Sequence, residues 1–168
     1  MEKKPSKISI IGAGAVGASC AFSIATQKLV SELVIIDVNT VKAEGEAMDI
    51  SHGLVTMGPM NIYSGSYEDI KDSDIILITA GLGRKPGETR LDLAAKNIGI
   101  ARDVISNIMK HYNGGVIMVV SNPVDVITYV MQKESGLPRG RVFGTGTVLD
   151  SARFRYLLST KVGADIRN

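Results

Sequence analysis

The sequence predicts an α/β domain, a doubly wound parallel sheet of the Rossmann type, on three observations. Short, nearly continuous apolar runs alternate with helix-period stretches along the chain, as expected of strands buried on both faces and joined by helical crossovers. The first run, Ile8-Ser9-Ile10-Ile11, turns through Gly12-Ala13-Gly14-Ala15-Val16-Gly17 into a helical pattern. The second, Leu33-Val34-Ile35-Ile36, ends on the acid Asp37. With 168 residues, 45% of them hydrophobic, the chain is long enough for one full domain around a sizeable core.

The elements follow in order. After the first strand, Val16, Cys20 and Ile24 recur every four residues and predict the inward stripe of the first helix. Val41 to His52 reads as a second helix with Ala43, Ala47 and Ile50 inward and Gly53 just past its end. Met60 to Tyr63 is a short strand, and Asp74 to Thr79 a stronger one. A loop from Ala80 to Thr89 carries Gly81, Gly83, Pro86 and Gly87. Leu91, Ala94, Ile98, Ala101, Ile105 and Ile108 alternate by three and four, which predicts a helix stopping near Asn113-Gly114-Gly115. Val116 to Val120 is a further strand, followed by Ser121-Asn122-Pro123 and a helix to about Lys133. Arg141 to Phe143 is the last strand, and a helix runs from about Val148 to Ser159.

Each part of the opening stretch has a physical task in holding a dinucleotide. Gly12 permits the tight turn, Gly14 lets the backbone approach a pyrophosphate, and Gly17 lets helix and strand pack closely. The helix start offers unpaired N–H groups to phosphate. Asp37 would accept hydrogen bonds from the ribose hydroxyls and repel a 2′-phosphate, and Val38-Asn39-Thr40 supplies no arginine for that phosphate. The reading is therefore NAD rather than NADP.

The formal net charge of +2 gives no argument for a nucleic-acid partner or a membrane surface. Cys20 is the sole cysteine, so no disulfide forms within the chain, which fits a reducing, cytoplasmic setting; it reads as a small buried hydrophobe. No spacing of His, Cys and Asp suggests a metal. Met57, Met60, Met109, Met118 and Met131 read as core filler, and His52 and His111 as residues at helix ends.

Gly12 to Gly17, the loop Arg84-Lys85-Pro86-Gly87-Glu88-Thr89-Arg90-Leu91-Asp92-Leu93, Ser121-Asn122-Pro123-Val124-Asp125, and Leu149-Asp150-Ser151-Ala152-Arg153-Phe154-Arg155 together resemble the lactate/malate dehydrogenase family. The likeness runs from Lys7 onward. Residues 1–6, lysine-rich and ahead of the first strand, read as a flexible tail, and the likeness implies an NAD-binding domain over 7–147 and the start of a substrate domain over 148–168. Arg84 and Arg90 fall in the family's mobile loop. Arg90 resembles the arginine that polarises the substrate carbonyl, and Arg153 the one that grips a carboxylate. Asn122 resembles the asparagine that orients substrate and nicotinamide, before a candidate cis Pro123. Asp37, Lys42, Tyr67, Gly81 and Asn97, with Val16 and Val120, fall where relatives contact NAD.

Asp150 resembles the carboxylate that orients a catalytic histidine, which in the family lies in a Gly-Glu-His-Gly-Asp segment beyond Asn168. The resemblance thus implies a chain that binds NAD but is inactive alone. Its substrate would be a small 2-hydroxy or 2-oxo acid, and the full-length protein would be a homodimer or homotetramer. Arg84 occupies a position where malate enzymes typically carry arginine, whereas Glu88-Thr89 is the wording of lactate enzymes. The expectation favours malate and oxaloacetate, with L-lactate and pyruvate as the alternative. A stand-alone NAD-binding module is the reading of another class.

Overall fold

A computed structural model describes residues 6–167. Six strands form one sheet: β1 (Lys7–Ile11), β2 (Glu32–Ile36), β3 (Asn61–Ser64), β4 (Ile75–Ile78), β5 (Val116–Val119) and β6 (Val142–Gly144). Their order is β3-β2-β1-β4-β5-β6 and every pairing is parallel. The doubly wound sheet expected from the alternating pattern is thus present. β1 lies between β2 and β4, so the chain leaves its carboxyl end in one direction and returns to its other side later. Strand order reverses there, and a crevice opens beyond the strand ends.

The helices are α1 (Ala15–Gln27), α2 (Thr40–His52), α3 (Leu54–Met57), α4 (Arg90–His111), α5 (Val124–Ser135) and α6 (Val148–Val162). Two core layers reflect the period of two in the strands. Ile8, Ile10, Leu33 and Ile35 point toward Ala21, Ala25, Ala43 and Ala47 of α1 and α2. Ile11, Val34, Ile36 and Ile76 point the other way, toward Ala101, Ile105 and Ile108 of α4 and Ile127 and Met131 of α5. At roughly 1.5–3 kcal/mol per buried aliphatic side chain, these layers are the main support of the fold.

Several expected details are corrected. The inward face of α1 is Gly17, Ala21, Ile24 and Ala25. Val16 is exposed and Cys20 only half-buried, because small residues let α1 lie close to the sheet and turn the larger ones aside. On α4, Leu91 is exposed, since the first turn projects past the sheet, and Asn97 is buried instead. The short helix α3 and a 3₁₀ turn at Tyr67–Ile70 had no clear periodic signal. Met131 is fully buried, while Met57, Met60, Met109 and Met118 pack at the core margins. The tail expected over residues 1–6 lies outside the described residues except for Ser6, whose carbonyl accepts from the amides of Ser31 and Glu32.

Candidate functional site

The carboxyl ends of β1, β2, β3 and β4 and one side of α4 enclose a cleft of about 670 Å³. At its floor the chain turns at Gly12 (φ +114°), where a Cβ would collide with the backbone of Ala80. A Cβ on Gly17 would collide with the Gly12 carbonyl oxygen, so both glycines are required by packing alone. Gly14 is different: a Cβ there would meet nothing, yet the residue lines the cleft. It precedes α1 with no side-chain cap and no acid in the first turn. The opening amides of α1, next to the lining residue Gly14, are thus left without a side-chain acceptor or a first-turn acid, an arrangement suited to phosphate.

Asp37, at the end of β2, accepts from the Ala13 amide (2.6 Å) through Oδ2 and from the Asn39 amide (2.8 Å) through Oδ1. Lys42, Tyr67 and Gly81 line the same cleft. Burial pushes the Tyr67 phenol up, and the carboxylates of Asp103 and then Asp37 push it further. Gly12, Gly14, Asp37, Lys42, Tyr67 and Gly81 are thus brought together.

The other expected contacts lie elsewhere. Val16 and Gly17 sit behind the turn in α1, and Val120 packs partly into the core. Asn97 is buried: its Oδ1 accepts from the Leu82 amide (2.8 Å), and its Nδ2 donates to the carbonyls of Asn122 (2.7 Å) and Leu82 (3.2 Å). The side chain clamps the loop after β4 to the loop after β5. Asn122 itself is exposed, and its peptide bond to Pro123 is cis.

Arg90 is the first residue of α4 rather than part of the loop, held there by a reciprocal cap between Thr89 and Asp92. Arg84 lies in an exposed turn closed by Glu88, whose carboxylate accepts from the Lys85 amide (3.0 Å) and pairs with Lys96. Those two contacts hold the Glu88 carboxyl below its ordinary range. Among the described residues, neither Arg84 nor Arg90 makes an ion pair. Asp150 and Arg153 pair with each other (3.2 Å) on the exposed helix α6, away from the cleft.

Sequence reasoning missed Ser66, Thr79, Ile100, Asp103 and Asn107, all of which line the cleft. The rule that ligands sit beyond strand ends could have found Ser66 and Thr79. Nothing in a helical period separates the cleft side of α4 from its core side.

A family model described as lactate/malate dehydrogenase, NAD binding domain, matches residues 6–144. The chain belongs to the lactate/malate dehydrogenase family. It carries the family's NAD-binding domain, and NAD is the cofactor that the uncapped start of α1 and the open backbone at Gly14 fit. An L-lactate dehydrogenase of Thermoanaerobacterium saccharolyticum is 52% identical over 97% of the chain and 52% of its own length. The solved minor L-lactate dehydrogenase of Enterococcus mundtii superposes with a TM-score of 0.93 at 44% identity, over 98% of this chain and 53% of that one. A malate dehydrogenase of Picrophilus torridus gives a TM-score of 0.91 at 40% identity, over 98% and 53%. The chain thus spans about half the length of the relatives it matches.

Proposed function

We propose that the protein is an NAD-dependent 2-hydroxy-acid dehydrogenase interconverting pyruvate and L-lactate, within which this chain holds the dinucleotide. The observation that carries the reading is the 52% identity, over 97% of the chain, to a protein named L-lactate dehydrogenase. The malate preference expected from Arg84 is set second. A charge left unpaired against pyruvate would cost about 3–5 kcal/mol only in a closed, dry site, and Arg84 stands exposed to solvent on its turn. The resemblance to malate enzymes at that position keeps oxaloacetate as the specific alternative.

Bound NAD supplies the hydride acceptor and, once reduced, the donor. The residues of the chain would bind and orient. Arg90, fixed at the start of α4, would polarise the substrate carbonyl, and Asn122 would orient it. Arg153 would exchange its exposed pairing with Asp150 for the substrate carboxylate, at little cost because such pairs contribute about 0–1 kcal/mol. Asp150 would then be free to orient a proton-exchanging histidine. His52 and His111 end α2 and α4, and neither lines the cleft. The 168 residues are therefore expected to bind NAD with little turnover of their own, a positioned acid being worth about 10²–10⁴-fold. Residues 7–147 are read as the NAD-binding unit and 148–168 as the start of a substrate unit. Self-association and a cytoplasmic setting complete the proposal.

The test is NADH oxidation by the native protein, with pyruvate and oxaloacetate compared under identical conditions. Preference for pyruvate, little changed by Arg84→Gln, is the expected result. A large preference for oxaloacetate that collapses in Arg84→Gln would overturn it in favour of malate.

A further inference from the structure

We infer that Asp103, on the α4 wall of the cleft, is a second determinant of cofactor choice, acting with Asp37 to keep a 2′-phosphorylated dinucleotide out. The inference rests on NAD occupying this cleft. Asp37 and Asp103 both line it, one at the end of β2 and the other midway along α4. The two carboxylates are not equally compensated. Both oxygens of Asp37 accept backbone amides, from Ala13 and Asn39, which spread part of its charge into the protein. The Asp103 side chain is exposed, and among the described residues its carboxylate has no ion-pair or hydrogen-bond partner; only its backbone carbonyl is engaged, by Asn107.

Lys42 is the one basic side chain among the described lining residues, so the lining carries two acids against one base. A sphere with the volume of the cleft would be about 11 Å across, close to the Debye length of about 10 Å at 0.1 M salt. A charge on either wall is therefore felt throughout. The phenol of Tyr67, inside the cleft, already feels both carboxylates. A 2′-phosphate adds up to two negative charges to the adenosine ribose and would meet repulsion from both walls. A diol ribose adds none. The pyrophosphate is common to both dinucleotides, so Asp103 discriminates between them through the 2′-phosphate.

The test is binding of NADH and NADPH to the chain, followed by nicotinamide fluorescence. It compares the unsubstituted protein with Asp103→Asn, Asp103→Glu, Asp37→Ser and the double variant Asp37→Ser/Asp103→Asn. Asp103→Asn should tighten NADPH by about three- to tenfold at low salt, the effect of a unit charge acting across about 10 Å of water-filled cleft. NADH should tighten by clearly less, since it shares the pyrophosphate but carries no charge on its ribose. The gain should fade as salt shortens the screening length, and Asp103→Glu should match the unsubstituted protein. The double variant should bind NADPH better than either single change. Equal effects on both cofactors, no effect on either, or a gain insensitive to salt would overturn the inference. Failure of the unsubstituted chain to bind NADH would count against the cofactor cleft itself, and the inference would fall with it.

Discussion

The three glycines of the first turn look interchangeable in the sequence but do different physical work. Gly17 has no room for a Cβ, and Gly12 has neither room nor an ordinary φ, so the fold itself demands both. Gly14 has room and an extended backbone, so no internal contact requires glycine there. Substitution should therefore separate stability from binding. Gly17→Ala should cost about 1–3 kcal/mol through overpacking, read as a lower urea midpoint. Gly14→Val should leave that midpoint nearly unchanged and weaken NADH by about tenfold or more, the loss expected when a branched side chain shields helix-terminal amides from phosphate. A Gly14→Val chain that unfolds easily, or binds NADH normally, would refute the assignment. The motif showed that three glycines were needed; only the local geometry separates the two held by packing from the one held open. Cys20 carries a parallel lesson. Half-buried, with burial pushing its thiol up, it is a packing residue, although its neighbour Ala21 faces the core.

Three strands are tied at their edge by side chains as well as backbone. Lys7 of β1 pairs with Glu32 of β2 (2.9 Å), and the Tyr63 hydroxyl of β3 donates to the same carboxylate oxygen (2.8 Å). The hydrogen bond from Lys7 is the largest influence holding the Glu32 carboxyl below its usual range. A carboxylate with a depressed folded-state pKa stabilises the fold above its unfolded value and loses that contribution as pH falls through the folded value. The window is therefore acidic, below the usual glutamate pKa of about 4.3. Lys7→Met should cost up to about 1 kcal/mol at pH 7, the scale of a partly exposed ion pair. Urea titrations should show that difference shrinking toward pH 3; a difference independent of pH would mean lost packing instead. Burial, and then Glu32, raise the Tyr63 phenol, so the hydroxyl remains a donor throughout this range. Strand positions were legible in the sequence because buried parallel strands are nearly all apolar. This ladder was not, because its members lie 25 and 31 residues apart and only strand register brings them together.

At the scale of the molecule, the alternating pattern carried the layer order and the crevice, since both follow from parallel pairing with helical crossovers. It could not say which face of α4 meets the cleft, because that depends on how packed elements are oriented rather than on any local period. α6 is the clearest case. It reads as a helix, yet none of its residues is buried, and seven large apolar side chains stand 46–68% exposed, Phe154 and Leu157 among them. A surface of that kind is usually covered by another protein surface. The chain should therefore self-associate as concentration rises, and Phe154→Asp with Leu157→Asp should shift it toward monomer in gel filtration. A single monomer peak at every concentration would refute this.

The Asn97 clamp has a mechanical corollary. Leu82 is pinned at one end of the loop by Asn97, and at the other Thr89 is held by Asp92 and Glu88 by Lys96, which leaves Gly83 to Gly87 as a leash with both ends fixed. Arg84 stands two residues from the pinned end, so its Cα stays within about 7 Å of Leu82 however the leash swings. Arg90, beyond the far anchor, belongs to α4 rather than to the leash. The two arginines are therefore unequal partners: one is a fixed post, the other a short-tethered arm whose reach is set by chain length.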